Sequence, residues 1–355
     1  SNLMCNIALH WQVFKQTKSH MKKYFILATM LTIVGLTHAQ KKPAYRITGI
    51  FNVKGNGGYD YMTVDSASEK LYVSHGSQVN ILNKNTGDSL GVIKTEKDVH
   101  GIALVHALGK GYISNGTLNK VLVFDLATNK IIKYLPTGKF ADAIFYDDFS
   151  NKVITCNGMS KNMTVIDPAN DTVVATIQLT GWPETAVSDG KGNIYVNNAK
   201  KAEMDVIDAS TFKIIHQWPN KPGSGASGLA IDRENMRLFA TCENKRLIVM
   251  DATNGKVVAS FSTGEGADGV GFDNALKTTY SSNGVGTLTV IKELSANKFI
   301  LIGNVVTKPG ARTIAVDQKT HKVYLPSGLF KPASKETFRP EIIPGTFKIL
   351  TVEMK

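Results

Sequence analysis

A module of about forty residues, repeated seven times, constrains this chain more than anything else in it. Residues Phe140 to Gly181 show the module in full: Asp142 to Asp147, a polar turn, Lys152 to Asn157, a Gly-containing turn, Met163 to Asp167, a Pro/Asn turn, and Thr172 to Leu179. Four short runs rich in β-branched residues, parted by Gly, Pro, Asn and Asp, read as a four-stranded antiparallel meander. An Asp or its substitute closes the first run at Asp65, Val105, Asp147, Asp189, Asp232, Asp273 and Asp317, in steps of 40, 42, 42, 43, 41 and 44 residues. The residue ending the third run keeps the same step at Asn83, Asp125, Asp167, Asp208 and Asp251. A single meander cannot bury both faces, so it needs neighbours of its own shape. No 3.6-residue apolar stripe is present, which excludes helical repeats. The expected architecture is all-β: a seven-bladed β-propeller of four-stranded antiparallel blades.

Seven units fill nearly everything after residue 44 of the 355, so residues 40–355 form a single domain. Before it, Met21-Lys22-Lys23, the apolar run Tyr24 to Leu36 and the small-residue site Thr37-His38-Ala39 have the layout of a signal peptide over residues 21–39. Residues 1–20 read as an upstream extension without a structural role. The expected location is therefore outside the cytoplasm, in the periplasm, at the cell surface or beyond, with no transmembrane segment once the leader is removed. The net charge of +12 falls to +8 without the four leader lysines, Lys15, Lys18, Lys22 and Lys23. The remaining lysines are scattered singly, a solvated-surface pattern and not a nucleic-acid stripe. Cys156 and Cys242 lie at the ends of the second runs of repeats three and five, which a seven-fold ring should hold farther apart than the roughly 7 Å Cα separation a disulfide allows. Two buried free thiols are expected.

Tyr45 to Val53 is a lone strand, and Gly345 to Met354 supplies only a third strand for the last blade. The first strand is therefore expected to complete the last blade and close the ring, leaving it no open edge. Tyr72-Val-Ser-His75, Tyr112-Ile-Ser-Asn115 and Tyr195-Val-Asn-Asn198 on second strands resemble the YVTN-type, YncE-like propeller repeat. So do Val165-Ile-Asp167 and Val206-Ile-Asp208 on third strands, and Val173 to Ile177 and Val257 to Phe261 on fourth strands. The resemblance covers residues 45 to 355. Blade seven departs from the pattern with an insertion, Leu329 to Thr346, carrying Pro332, Pro340, Pro344, Lys331, Lys335 and Arg339, which is either a functional loop or an inert flap.

In such a ring the starts of the first strands and the turns after the second strands surround one mouth of the central channel. The first set is Asp60, His100, Asp142, Glu184, Ser227, Asp268 and Arg312; the second is His75, Asn115, Asn157, Asn198, Cys242, Asn283 and Ser327, with Glu243 beside Cys242. The Asn residues at strand ends can serve turn backbone groups alone, and Asn115-Gly, Asn157-Gly and Asn283-Gly suit left-handed turns. The inner carboxylates would repel one another unless a cation, an Arg or protonation intervenes. Phe140 and Trp182, two residues before Asp142 and Glu184, either stack on a ligand ring or plug the turn.

Two functions follow. The first, which the resemblance implies, is a secreted, non-catalytic propeller that binds a small molecule or protein partner; the geometry of the mouth puts that contact at Asp60, His75, His100, Asp142, Trp182, Glu184, Ser227, Asp268 and Arg312, and a monomer is expected. The alternative is a metal-assisted lyase or lactone hydrolase, as similar seven-bladed enzymes imply, with Ca²⁺ or Mg²⁺ on Asp142, Glu184 and Asp268 and His100 or His75 as base. Spacing motifs for zinc or haem are absent. Nucleic acid is a disfavoured partner, because acids at the mouth repel phosphate unless the basic insertion shields them.

Overall fold

The structure, a computed structural model, describes residues 45–332 and 341–355. The leader lies outside the described residues, as do Lys335, Arg339 and Pro340 of the insertion. The strands form seven four-stranded antiparallel sheets. Blades one to six span residues 59–94, 99–136, 141–178, 183–219, 226–262 and 267–306. Blade seven joins Ala315–Val316, Val323–Ser327 and Lys348–Met354 to the closing strand Tyr45–Asn52, so the expected closure is present. First strands touch first strands all round the ring, with blade seven meeting blade one. No helix among the described residues is long and apolar enough to cross a membrane.

Second and third strands lie between neighbouring blades and are buried on both faces, so they read as near-continuous apolar runs. Fourth strands form the rim and leave Ile132, Tyr134 and Val174 exposed. Cys156 and Cys242 are buried free thiols, as expected.

The repeated motif residues are the joints of the ring. The second-strand tyrosine reaches into the next blade: Tyr112 donates to Asp171 Oδ1 (2.7 Å), Tyr195 to the Ala252 carbonyl (2.9 Å) and Tyr324 to the Lys84 carbonyl (2.8 Å). The Asp closing the first strand caps its own turn, and at Asp65, Asp147, Asp232, Asp273 and Asp317 it also takes a donor from the following blade. His106 lies 3.0 Å from Asp65, Lys277 3.1 Å from Asp232 and His321 2.8 Å from Asp273, and the buried Lys84 lies 3.0 Å from Asp317 across the seam between blades one and seven.

Candidate functional site

The first strands begin irregularly. In blades one to six the pairing with the second strand slips at the same place, between Tyr59 and Met62, Val99 and Ile102, Ala141 and Ile144, Pro183 and Ala186, Ala226 and Leu229, and Ala267 and Gly269. Bulges of this kind take residues out of the ladder and re-aim their side chains. The residues freed are Asp60, His100, Asp142, Glu184, Ser227 and Asp268, six of the seven expected at the inner mouth. In blades one, two, four and six a serine or asparagine inside the second-strand motif ties down a bulge, its own or that of the next blade. Ser74 accepts from the Asp60 amide (3.1 Å) and donates to the Tyr61 carbonyl (2.9 Å), and Asn197 donates to the Ser227 and Gly228 carbonyls (3.1 and 3.0 Å).

The inner set converges. His100 Nδ1 lies 2.6 Å from Asp60 and 3.4 Å from Asp142, and its Nε2 lies 3.3 Å from Asp98. Arg312 donates to Asp268 and lies 3.6 Å from Asp60. Burial opposes the charge on His100, but its hydrogen bonds to Asp60 and Asp98 and the nearby Asp142 outweigh it and hold the imidazole well above its usual pKa. Burial opposes Arg312 in the same way, and Asp60 and Asp268 outweigh it. For Glu184, burial first and then Asp142, Asp268 and Asp60 push the carboxyl up to about 8, against the hydrogen bond from Trp182. Ser227 donates to the Asp268 carbonyl (2.9 Å), a joint between blades five and six.

His75 stands apart from the acids. It is fully buried, its Nδ1 is 3.3 Å from Asn80 Oδ1, its ring packs on Phe347 at 4.4 Å, and burial lowers its pKa despite the Asn80 contact. The amides after the second strands also turn inward to the fold. Asn157 donates to Asn162 and Thr164 (both 2.9 Å), Asn283 to Thr287 and Thr289 (both 3.0 Å), and Ser327 to the Pro309 carbonyl (3.0 Å).

Asn115-Gly, Asn157-Gly and Asn283-Gly are not left-handed; the positive φ comes at the end of each turn, at Asn119 (53°), Lys161 (53°) and Gly286 (101°). Glycine follows those Asn residues for space. A Cβ on Gly158 would meet the Trp182 ring at 2.4 Å, and one on Gly116 would meet His100 Nε2 at 2.7 Å.

Phe140 and Trp182 face the mouth with ring centroids 6.1 Å apart, and Phe140 lies 5.2 Å from the His100 ring. Phe140 holds φ at 62°, where blades five and six place Gly225 (62°) and Gly266 (65°). An aromatic residue in that conformation carries backbone strain. Aligning the repeats puts Asp98 at the position of Phe140 and Trp182, a signal that would have found it. Tyr61 has no such signal. It follows Asp60 in the bulge, where other blades have Gly101, Ala143, Thr185 and Gly228, and it packs against the apolar cluster around Ala143 and Ala186. Burial, then Asp142, Asp60, Glu184 and Asp268, raise its phenol well above the ordinary tyrosine value, so a large side chain sits among the acids.

Two clefts open here and share Asp98 and Arg312. One of about 740 Å³ is lined by Tyr59, Asp60, His100, Phe330, Lys331 and Glu341 among others, and one of about 1090 Å³ by Phe140, Trp182, Glu184, Lys200, Glu243 and Asp268 among others. The described part of the insertion forms one wall of the smaller cleft. Phe330 bridges to Ile342, its ring lies 6.0 Å from Tyr59, and Lys331 pairs with Glu341 at 2.6 Å.

No family model matches the chain. The uncharacterized YncE proteins of Salmonella typhi and Salmonella typhimurium are each 22% identical to it over 203 residues, 54% of this chain and 56% of theirs. The match thus spans about half the length of those curated relatives. Among solved structures, a chain of Kuenenia stuttgartiensis hydrazine synthase superimposes with a TM-score of 0.68 at 14% identity, covering 77% of this chain and 94% of that one, a likeness of fold alone. The ring, the repeat motifs and this weak sequence similarity agree: the protein is a YncE-like seven-bladed propeller.

Proposed function

We propose that this is an exported, non-catalytic propeller that binds a small molecule or a segment of a partner protein at the polar mouth of its channel. The observation that carries the reading is the pair of adjoining clefts, about 740 and 1090 Å³, in which aromatic rings alternate with charged side chains. The His100 and Arg312 contacts brace the walls, so a ligand meets a mouth already ordered. Nucleic acid fits poorly, because the acids of the inner set would repel phosphate.

A second reading, a divalent-metal-assisted lyase or lactone hydrolase, is favoured by one observation: ligand atoms of Asp60, His100 and Asp142 lie within 4.8 Å of one another. The donor chemistry fits an imidazolium better than a metal. Both ring nitrogens of His100 face carboxylates, so a cation already occupies the centre of the group.

One calorimetric panel separates the readings: amines, sugars, carboxylates, short peptides, Ca²⁺, Mg²⁺ and Mn²⁺ against the native protein, Trp182→Ala and Asp142→Asn. An organic or peptide ligand weakened about tenfold by Trp182→Ala supports the binding reading. Metal uptake abolished by Asp142→Asn supports the second. Organic ligands indifferent to Trp182, or none at all, overturn the first.

A further inference from the structure

We infer that the larger cleft takes an alkylammonium group, the chemistry of a lysine side chain or a polyamine, seated over the Trp182 indole where the chain's own Lys200 now lies. The inference rests on the reading of the mouth as a binding site and gives that site a ligand class.

The Lys200 ammonium lies 4.4 Å from the centre of the Trp182 ring. An indole face is the best aromatic seat for a cation, and the attraction grows where water is excluded. The ring is held for this task. Gly158 leaves room for its edge, Glu184 accepts from its N–H, and Phe140 forms a second wall 6.1 Å away. Lys200 itself is exposed, on the turn after the second strand of blade four, and a flexible four-carbon stem lets it swing out at small cost.

Charge favours the same ligand. With Glu184 largely protonated near neutrality, the cleft's charged lining is Asp98, Glu243 and Asp268 against Lys200 and Arg312, still an acidic excess on a chain of net charge +12, and one that grows when Lys200 swings out. Arg312 is engaged by Asp268 and Asp60, and among the described residues neither Glu184 nor Glu243 has an ion-pair partner. A sugar would stack on the indole and leave the Glu243 carboxylate unpaired, and an anion would be repelled by it. At about 1090 Å³ the cleft has room for more than an ammonium head, as a polyamine or a peptide side chain with its backbone would require.

The test is titration of the full chain at pH 7.5 and low salt with spermidine, tetralysine, tetraalanine, tetraglutamate and cellobiose, read by calorimetry and Trp182 fluorescence. The variants are Lys200→Ala and Glu243→Gln, both at exposed positions, and Trp182→Phe. Either amine should bind about tenfold more weakly to Glu243→Gln and several-fold more tightly to Lys200→Ala, which loses its internal competitor. A purely structural Lys200 would not produce that tightening. Binding of spermidine alone or of tetralysine alone supports the inference and identifies the source of the ammonium. Amines that bind no better than tetraalanine, or a Lys200→Ala affinity equal to the native one, overturn it. If cellobiose or tetraglutamate binds and perturbs Trp182 while the amines do not, the ammonium inference falls and the mouth remains a binding site; if no probe binds, both fall.

Discussion

Asp60, Asp142, Asp268 and Glu184 meet at the axis because a bulge recurs in blades one to six, and their mutual repulsion is met in three ways. Arg312 neutralises Asp268 and Asp60, the His100 imidazolium sits between Asp60 and Asp142, and Glu184 keeps its proton up to about 8. The last of these has a definite pH signature. With a folded pKa of about 8 against an ordinary glutamate value near 4.3, the folded state holds a proton that the unfolded chain releases, so stability falls as pH rises between the two values. Glu184→Gln removes that dependence. At pH 8.5 it should stabilise the protein by about 1–3 kcal/mol, seen in urea or thermal melts, and at pH 4 the two proteins should melt alike. A native-minus-variant difference independent of pH would contradict the assignment. His100 has a slope of the same sign, through a favourable charge instead of a suppressed one: its raised pKa adds stability that is fully present below about 6.5 and fades as pH climbs through the folded value.

At the scale of the strand, the module encodes both the joints and the site. The second-strand tyrosine ties a blade to the next, the small polar residue two places on ties the bulge, and the Asp at the end of the first strand takes a donor across the seam. Lys84 is the most deeply buried of these donors, 1% exposed and 3.0 Å from Asp317. Lys84→Met should cost about 3–5 kcal/mol, because Asp317 is left charged and buried. Lys84→Met combined with Asp317→Asn should recover much of the loss, which denaturant melts would read as a double-mutant cycle.

The strand starts, the closing Asp residues and the inner set were legible in the sequence because all three are set by the period. The pairings among them were not, because they join different blades: His100 and Asp60 are 40 residues apart, and Thr313 donates to the Asp60 carbonyl across 253. His75 has the right repeat position, but Asn80 on the next strand and Phe347 from blade seven draw it away from the acids. Tyr61 was illegible for a different reason: only one blade has a large residue there.

For the ring as a whole, closure rests on a strand far away in sequence. Tyr45–Asn52 pairs with Lys348–Met354 along nearly its full length, and Thr48 meets Thr351 at 3.1 Å across 303 residues. Without the closing strand, Lys348–Met354 would present an unpaired edge, and blade seven would lose the face that Phe51 covers. Removing residues 45–52 should therefore turn a single cooperative melt into a broad or multi-step one and promote association, measurable by calorimetry and light scattering. A sharp, monomeric transition in the shortened chain would show that six complete blades hold the ring unaided.

The order of synthesis gives this latch a further meaning. A ribosome makes Tyr45 long before the segment that will grip it, so for most of translation the growing polypeptide is a set of neighbouring meanders with nothing to lock them into a circle. The final commitment waits for Lys348–Met354 to emerge, and until then the slow, long-range nature of that contact leaves the ring open and accessible to chaperones.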